Sequence, residues 1–436
     1  MKRFVEKIAA VCCAAAMLCG FAGCEEDSMK DSAADGNSAS NTTEATTTTT
    51  APATDTTWVP ADPALNLPTL NLGYTNPDMC KRAVISQGNR ARLASVMQRA
   101  ESGKPVTIGV IGGSITQGSS ASSSQENYAF LNTKWWTEAF PKCSGLNFVN
   151  AGIGATGSYI GVHRVAEDLL AQKPDVVVVE FSVNDTNAAF NLGTYDSLVR
   201  KILNAENNPA VILMFMCQEN NTTLAETHKK IGEAYDLPML SYQQAVMPEI
   251  EKGTFAWTDI AADNIHPNSN GHGIMGELLW NYYNSVYAQL DDIDTSDVSF
   301  TASPVTEDRY AQAELLNSKE ITPTANNGFA DADLMYQFPS NWQATEAGAS
   351  LTFDVETRNI GILYYRTIDG KSGKYEVYVD GQLADTLDGN FANGWGNYAE
   401  AAEVYQSDAK ANHTVEIRCK EGETACQFGV LGLLVS

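Results

Sequence analysis

Five short apolar runs recur between stretches of helical spacing: 106–111 (VTIGVI), 146–150 (LNFVN), 176–182 (VVVVEFS), 211–217 (VILMFMC) and 238–241 (PMLS). The helical stretches lie at 127–140, 158–172, 194–205 and 223–235. This alternation constrains the fold more than any other feature. Runs rich in β-branched residues and too short for helices, each followed by a helix, form parallel strands with helices on both faces. The expectation is a three-layer α/β/α domain with a parallel five-stranded sheet. A helix carrying Leu93, Val96, Met97 and Ala100 precedes the first strand. A last amphipathic helix, roughly 271–289, carries Ile274, Leu278, Leu279 and Tyr282 and ends before the acidic "DDIDTSD".

From about residue 296 the period changes from helical to two, in "SLTFDV", "GILYYRT", "KYEVYVDGQL", "HTVEIR" and "FGVLGLLV". Asp380-Gly381 supplies a hairpin turn. Residues 295–436 are therefore expected to form an all-β sandwich, jelly-roll-like and able to fold alone, after an α/β domain spanning 58–294.

The start of the chain reads as an export signal. Lys2, Arg3 and Lys7 flank an apolar run from Ile8 to Gly23, too short to span a bilayer comfortably. It ends "GFAGC", which resembles a bacterial lipobox: residues 1–24 would be a lipoprotein signal peptide and Cys24 the lipid anchor, with Phe21 where Leu is usual. The alternative is an ordinary cleaved signal. Residues 25–57 are Ser, Thr, Ala and Asp with almost nothing apolar, a tether with a reach on the order of 30 Å if flexible. The expected location is the outer surface of a bacterial cell, by way of a lipid anchor in the membrane, with free secretion as the alternative. With a formal net charge of −25, a nucleic-acid partner is excluded, since phosphate backbones require a basic face.

Five cysteines lie beyond Cys24, with no CxxC pair for zinc. Cys419 and Cys426 flank "KEGETA", and a Gly422-Glu423 turn would set them opposite each other on a hairpin, as a disulfide or as two buried thiols. No metal and no cofactor are expected.

Three stretches carry candidate chemistry. "GGSIT" places Ser114 just past a strand, at the sheet edge where ligand clefts of α/β folds lie, although Thr116 replaces the second glycine of a G-x-S-x-G elbow. In "DNIHPN", Asp263 and His266 lie three apart, so one carboxylate can hold one imidazole nitrogen while the other nitrogen activates a hydroxyl. His272 nearby allows a metal reading, disfavoured by the lack of further ligands. In "EFSVND", Asn184 can donate to a developing oxyanion. A fourth stretch, "GIGATG" (152–157), matches G-x-G-x-x-G, with Glu180 where a ribose-binding carboxylate would belong. The dinucleotide reading suffers from following the second strand, from the export signal, and from leaving Ser114 unexplained.

In this order the four stretches resemble the blocks of the SGNH (GDSL-like) hydrolase superfamily over roughly residues 85–290. The resemblance implies Ser114 as nucleophile, His266 as general base and Asp263 as its orienting carboxylate. It implies an oxyanion hole made of the backbone N–H of Ser114, an N–H of Gly154 or Ala155, and the Asn184 side chain. Gly113 stands where the family often has Asp, and Ser182 where its third block has Gly. His163, His228 and His413 match no block and are expected to be structural or surface residues. "NAGIGATGSYIGVHR" and "VVVVEFSVNDTN" look like carbohydrate-active members that remove acetyl groups from plant polysaccharides, some of which carry a β-sandwich carbohydrate-binding module. The resemblance thus implies acetylated xylan or mannan, polymeric or oligosaccharide, as partner, and Trp395 and Tyr398 in "NGWGNY" as candidate sugar-stacking faces. Two alternatives remain: a lipid or aryl esterase with the same triad, and a non-catalytic glycan-binding surface protein.

Overall fold

The computed structural model describes Ala61, Leu65 and residues 67–436. The expected signal peptide with Cys24 and the 25–57 tether lie outside these residues. The strands of the first half are β1 (Val84–Ser86), β2 (Val106–Gly112), β3 (Leu146–Gly152), β4 (Val176–Glu180), β5 (Ala210–Phe215) and β6 (Met239–Ser241). Its helices are α1 (Pro77–Ala83), α2 (Ala91–Glu101), α3 (Ser114–Gln117), α4 (Tyr128–Ala139), α5 (Ser158–Asp168), α6 (Ala188–Leu203), α7 (Ala225–Ala234), α8 (Tyr242–Glu251), α9 (Trp257–Ile260) and α10 (Ser269–Tyr287).

The sheet has six strands in the order β1-β6-β5-β4-β2-β3. Five pair in parallel as expected, and β1 adds an antiparallel edge against β6. Three residues directly after a helix carry no readable period, which is why the sequence shows five strands rather than six. Every residue of β4 and β5 is buried. Alternate side chains separate to the two faces: Val176, Val178, Ile212 and Met214 pack under α2, α4 and α10, while Val177, Val179, Val211 and Leu213 pack under α5, α6 and α7. The chain runs from β2 to β3 on one side, then crosses to β4 on the other. The carboxyl end of β2 is therefore the topological switch point, where α/β sheets open their ligand crevice.

The second half contains β7 (Glu314–Leu316), β8 (Ala325–Asn327), β9 (Phe329–Ala332), β10 (Asn341–Ala344), β11 (Ser350–Arg366), β12 (Lys374–Val379), β13 (Gln382–Asp388), β14 (Tyr398–Cys419) and β15 (Phe428–Val435), all paired antiparallel. β11 and β14 pair along nearly their whole length, with register shifts between Thr357 and Asn359 and between Ile360 and Gly361. Bulges of this kind bend long strands. The first half of β11 lies beside β8, and its second half beside β15, so the sheet folds into two layers. Between them lies a core that includes Trp342, Phe353, Ile362, Val377, Ile417 and Val430. Asp380 (φ 52°) and Gly381 (φ 77°) make the expected tight turn between β12 and β13, with both residues left-handed.

One expectation fails here. β14 and β15 do not form a hairpin around Gly422, because after the turn β15 pairs with β11, β10 and β7 instead. Cys419 and Cys426 are free thiols, half-buried rather than buried.

The β layers also do not stand apart. Ile362, Tyr364, Val430 and Leu433 face the β core, whereas Leu363, Leu431, Leu434 and Ala399 join Tyr159, Ile160 and Val162 of α5 in one continuous core. The connecting segment is strapped to the α/β layers by side chains: Arg92 donates to Val298 O, Arg200 to Ala302 O and Lys201 to Ala313 O, while Asp196 accepts from Thr306. An arrangement in which one face of the β sandwich is shared core differs from the independent module that the sequence suggests.

Candidate functional site

Three adjacent strands deliver the site. Ser114 is the first residue of α3, directly after β2 and Gly113. Neither preceding glycine has room for a Cβ with its neighbours as they stand. A Cβ on Gly112 would lie 2.1 Å from Thr116 Oγ1 and 2.5 Å from the Glu180 carbonyl, and one on Gly113 would lie 2.2 Å from Asn184 Oδ1. The Asn184 amide thus stands where a side chain at 113 would begin.

His266 Nε2 lies 2.9 Å from Ser114 Oγ, and its Nδ1 lies 2.8 Å from Asp263 Oδ2. Residues 262–265 form bends rather than a helix turn. Geometry comes instead from the other Asp263 oxygen, which accepts the backbone N–H groups of Ile265 and His266, each at 2.7 Å. The segment is pinned by Trp257 Nε1, which donates to the Asp263 carbonyl at 2.7 Å. Burial raises the Asp263 pKa, but the hydrogen bonds from the His266 backbone, its imidazole and Ile265 outweigh it and leave the carboxyl below its ordinary value. An ionised Asp263 assigns the proton to Nδ1, so Nε2 accepts from the Ser114 hydroxyl.

Asn184 follows β4 in a turn closed by its N–H to the Phe181 carbonyl. Its Oδ1 is buried without a partner, and its Nδ2 makes no hydrogen bond among the described residues. Ser182 does what a glycine at its position could not: its hydroxyl donates to Met216 O at 3.1 Å and accepts from Met216 N at 2.7 Å, tying the end of β4 to the end of β5. The turn after β3 presents two backbone N–H groups beside Ser114, those of Gly154 and Ala155. Gly154 lies against Ser114, and its N–H is held at 2.6 Å by the side-chain carbonyl of Gln117. Ala155 is left-handed (φ 61°), and its N–H makes no hydrogen bond among the described residues. Behind the turn, buried Arg164 donates to Ala151 O and Gly112 O, fixing the ends of β3 and β2 together.

The other sequence candidates resolve differently. Glu180 is fully buried and accepts from Thr116 Oγ1 at 3.2 Å, so no ribose can reach it. Burial pushes its carboxyl up to about 8. His272 has both ring nitrogens engaged, Nδ1 with Tyr128 N–H and Nε2 with Ser119 O, and burial lowers it to about 4. His163 and His228 are buried, and His413 pairs with Asp380 at 2.7 Å. Trp395 and Tyr398 stand 5.1 Å apart on the β sandwich, with Phe391 and Arg366 beside them, and share no contact with Ser114, His266 or Asn184. Tyr336 lies in no sequence motif. This tyrosine, 83% exposed, comes from the β-sandwich loop before β10 and borders a cleft of about 440 Å³ together with Gln117, Gly152 and Ile153.

The profile of the GDSL-like Lipase/Acylhydrolase family matches residues 110–274. Among solved structures, a two-domain esterase (CEX) active on acetylated mannans, co-crystallised with mannopentaose, is 31% identical. The match covers 82% of this chain and 97% of that one, with a TM-score of 0.74. A second structure of a two-domain esterase (CEX) active on acetylated mannans is 32% identical, covering 82% and 98% with a TM-score of 0.73. A search of curated proteins finds no match. With that likeness extending over both the α/β layers and the β sandwich, the chain belongs to the GDSL-like lipase/acylhydrolase family (SGNH superfamily) and is a carboxylic ester hydrolase.

Proposed function

We propose that this protein removes O-acetyl groups from acetylated mannan by way of an acetyl-enzyme on Ser114. The observation that carries the reading is the continuous relay from Ser114 Oγ through His266 to Asp263, at 2.9 and 2.8 Å. His266 Nε2 takes the Ser114 proton as Oγ attacks the acetyl carbonyl. The oxyanion is met by the Ser114 N–H, the 154–155 turn and Asn184 Nδ2. Collapse of the tetrahedral intermediate expels the sugar alkoxide, to which the imidazolium returns the proton. Water, deprotonated by the same imidazole, then attacks the acetyl-enzyme and releases acetate.

The choice of mannan rests on the two-domain likeness to esterases active on acetylated mannans, a likeness that includes the β sandwich. Tyr336, projecting beside Gln117, is suited to stack on a sugar ring near the acyl group. Lipid anchoring at Cys24 belongs to the same reading and rests on the lipobox-like "GFAGC". The test is acetate release from acetylated mannan, from acetylated xylan, and from p-nitrophenyl esters of increasing chain length. The reading expects mannan to be the best polymer and the acetyl ester to be the best small substrate. Rates that climb with acyl length would instead indicate a lipid esterase.

A further inference from the structure

Two buried ionisable side chains lie next to the site and have no part in the acyl transfer just described. Asp185, the residue after Asn184, places Oδ1 2.8 Å from the Ser158 N–H, the first N–H of α5. Its Oδ2 lies 3.0 Å from His228 Nε2 on α7, and both side chains are fully buried. The His228 ring is itself clamped, stacked on Tyr195 of α6 with centroids 3.7 Å apart and planes within 2°. His228 Nδ1 has no partner, so no competing bond turns the ring away from Asp185. Space is equally tight on the other side: a Cβ on Gly157 would sit 2.5 Å from Asp185 Oδ1.

This geometry joins two segments that are distant in sequence. Asn184 carries one oxyanion donor; the 154–157 turn carries another and ends where α5 begins. Asp185 is covalently adjacent to the first and hydrogen-bonded to the end of the second. A carboxylate at the α5 N-terminus is further favoured by the helix dipole. We propose that Asp185, held by His228, is a positioning residue that sets the spacing between the Asn184 amide and the 154–155 turn, and so tunes the oxyanion hole. The proposal rests on the Ser114 reading above. The donors in question strengthen in the transition state more than in the bound ester, so their misplacement acts on kcat more than on KM.

The experiment measures kcat and KM on p-nitrophenyl acetate for Asp185→Asn, Asn184→Ala, and the double variant, with folding followed by circular dichroism. A second single variant, His228→Phe, keeps an aromatic ring against Tyr195 and removes the bond to Asp185. Both single changes at the pair are expected to lower kcat by roughly 10- to 100-fold with KM within about two-fold. In the Asn184→Ala background, the Asp185→Asn effect should shrink to about three-fold or less, because one of the two groups it spaces is gone. A purely structural role would lower the melting temperature and leave kcat of the folded protein unchanged, whereas a role independent of Asn184 would lower kcat by the same factor in both backgrounds; either kinetic result overturns the proposal. The outcome separates from the parent reading through Ser114→Ala. If that variant is inactive while Asp185→Asn is fully active, only the positioning role fails; if Ser114→Ala is active, the site itself fails.

Discussion

At the scale of single residues, the site is built as much from what is missing as from what is present. At Gly113 the Asn184 amide stands where a Cβ would be. A Cβ there would push on the Asn184 amide, the oxyanion donor of the proposed mechanism, so Gly113→Ala should reduce activity, though by less than Asn184→Ala. For Asn184→Ala we expect kcat to fall about 10²- to 10³-fold, the usual cost of one oxyanion donor, with KM little changed. Steady-state kinetics on p-nitrophenyl acetate checks this, and a change confined to KM would make Asn184 a ground-state binding group. Gln117 makes the opposite case. Its side-chain carbonyl occupies the Gly154 N–H, one of the donors an oxyanion would use. Gln117→Ala is expected to raise kcat/KM by about two- to ten-fold, the worth of one modest hydrogen bond no longer competing. A fall in kcat would show instead that the bond holds the turn in place. The sequence motifs name Ser114, Asn184, Asp263 and His266 because the motif fixes residue type and spacing. Gln117 carries no such signal, since its role depends on which side of β3 the 154–155 turn faces.

At the scale of elements, the polar layer beneath α3 links the strands to the segment that carries Ser114. Thr116 Oγ1 donates to Glu180 and pairs with Tyr128 OH at 2.7 Å, and the second Glu180 oxygen has no partner. Burial raises Glu180 to about 8, against an ordinary value of 4.5. A folded pKa above the unfolded one means the native state holds the proton more tightly. The associated stability is full below about pH 4.5 and is lost as pH rises through about 8. Thermal denaturation between pH 5 and 8.5 should therefore show declining stability for the wild type and a flatter profile for Glu180→Gln. Parallel profiles would mean that Glu180 ionises as freely in the fold as out of it. The strands of this layer are readable because β4 and β5 are buried on both faces and β2 nearly so, which gives long apolar runs. β1 was not readable, being three residues whose strand state is imposed by pairing with β6. Asp185 and His228 were legible only as unremarkable residues, because a pairing 43 positions apart exists only after α5, α6 and α7 have packed.

At the scale of the whole molecule, the apolar run "FGVLGLLV" carried more information than its period suggests. A sandwich strand with one wet face alternates; β15 does not, because Val430 and Leu433 face the β core while Leu431 and Leu434 face α5. That continuity is the sequence trace of the shared core. Deleting residues 295–436 is thus expected to expose Tyr159, Ile160 and Val162 and to destabilise the α/β part, with activity lost on polymer and on small ester together. Retention of p-nitrophenyl acetate hydrolysis by a well-folded truncated protein would count against the interface. The proposed sugar contact of the sandwich is separable by a point change. Tyr336→Ala should raise KM for acetylated mannan oligosaccharide several-fold and leave p-nitrophenyl acetate kinetics unaltered, and equal effects on both substrates would remove the sugar-stacking role. The expected anchoring is independent of the fold: Cys24→Ser should shift the protein from the membrane fraction to the medium.

The central claim is that Ser114 carries the acetyl group. The direct measurement is acetate release from acetylated mannan by the wild type and by Ser114→Ala, with the fold of both checked by circular dichroism. No other group on the relay can replace the hydroxyl, so the wild type should release acetate and the alanine variant should be slower by at least about four orders of magnitude while keeping its fold. Near-normal release by a folded Ser114→Ala protein would contradict the account.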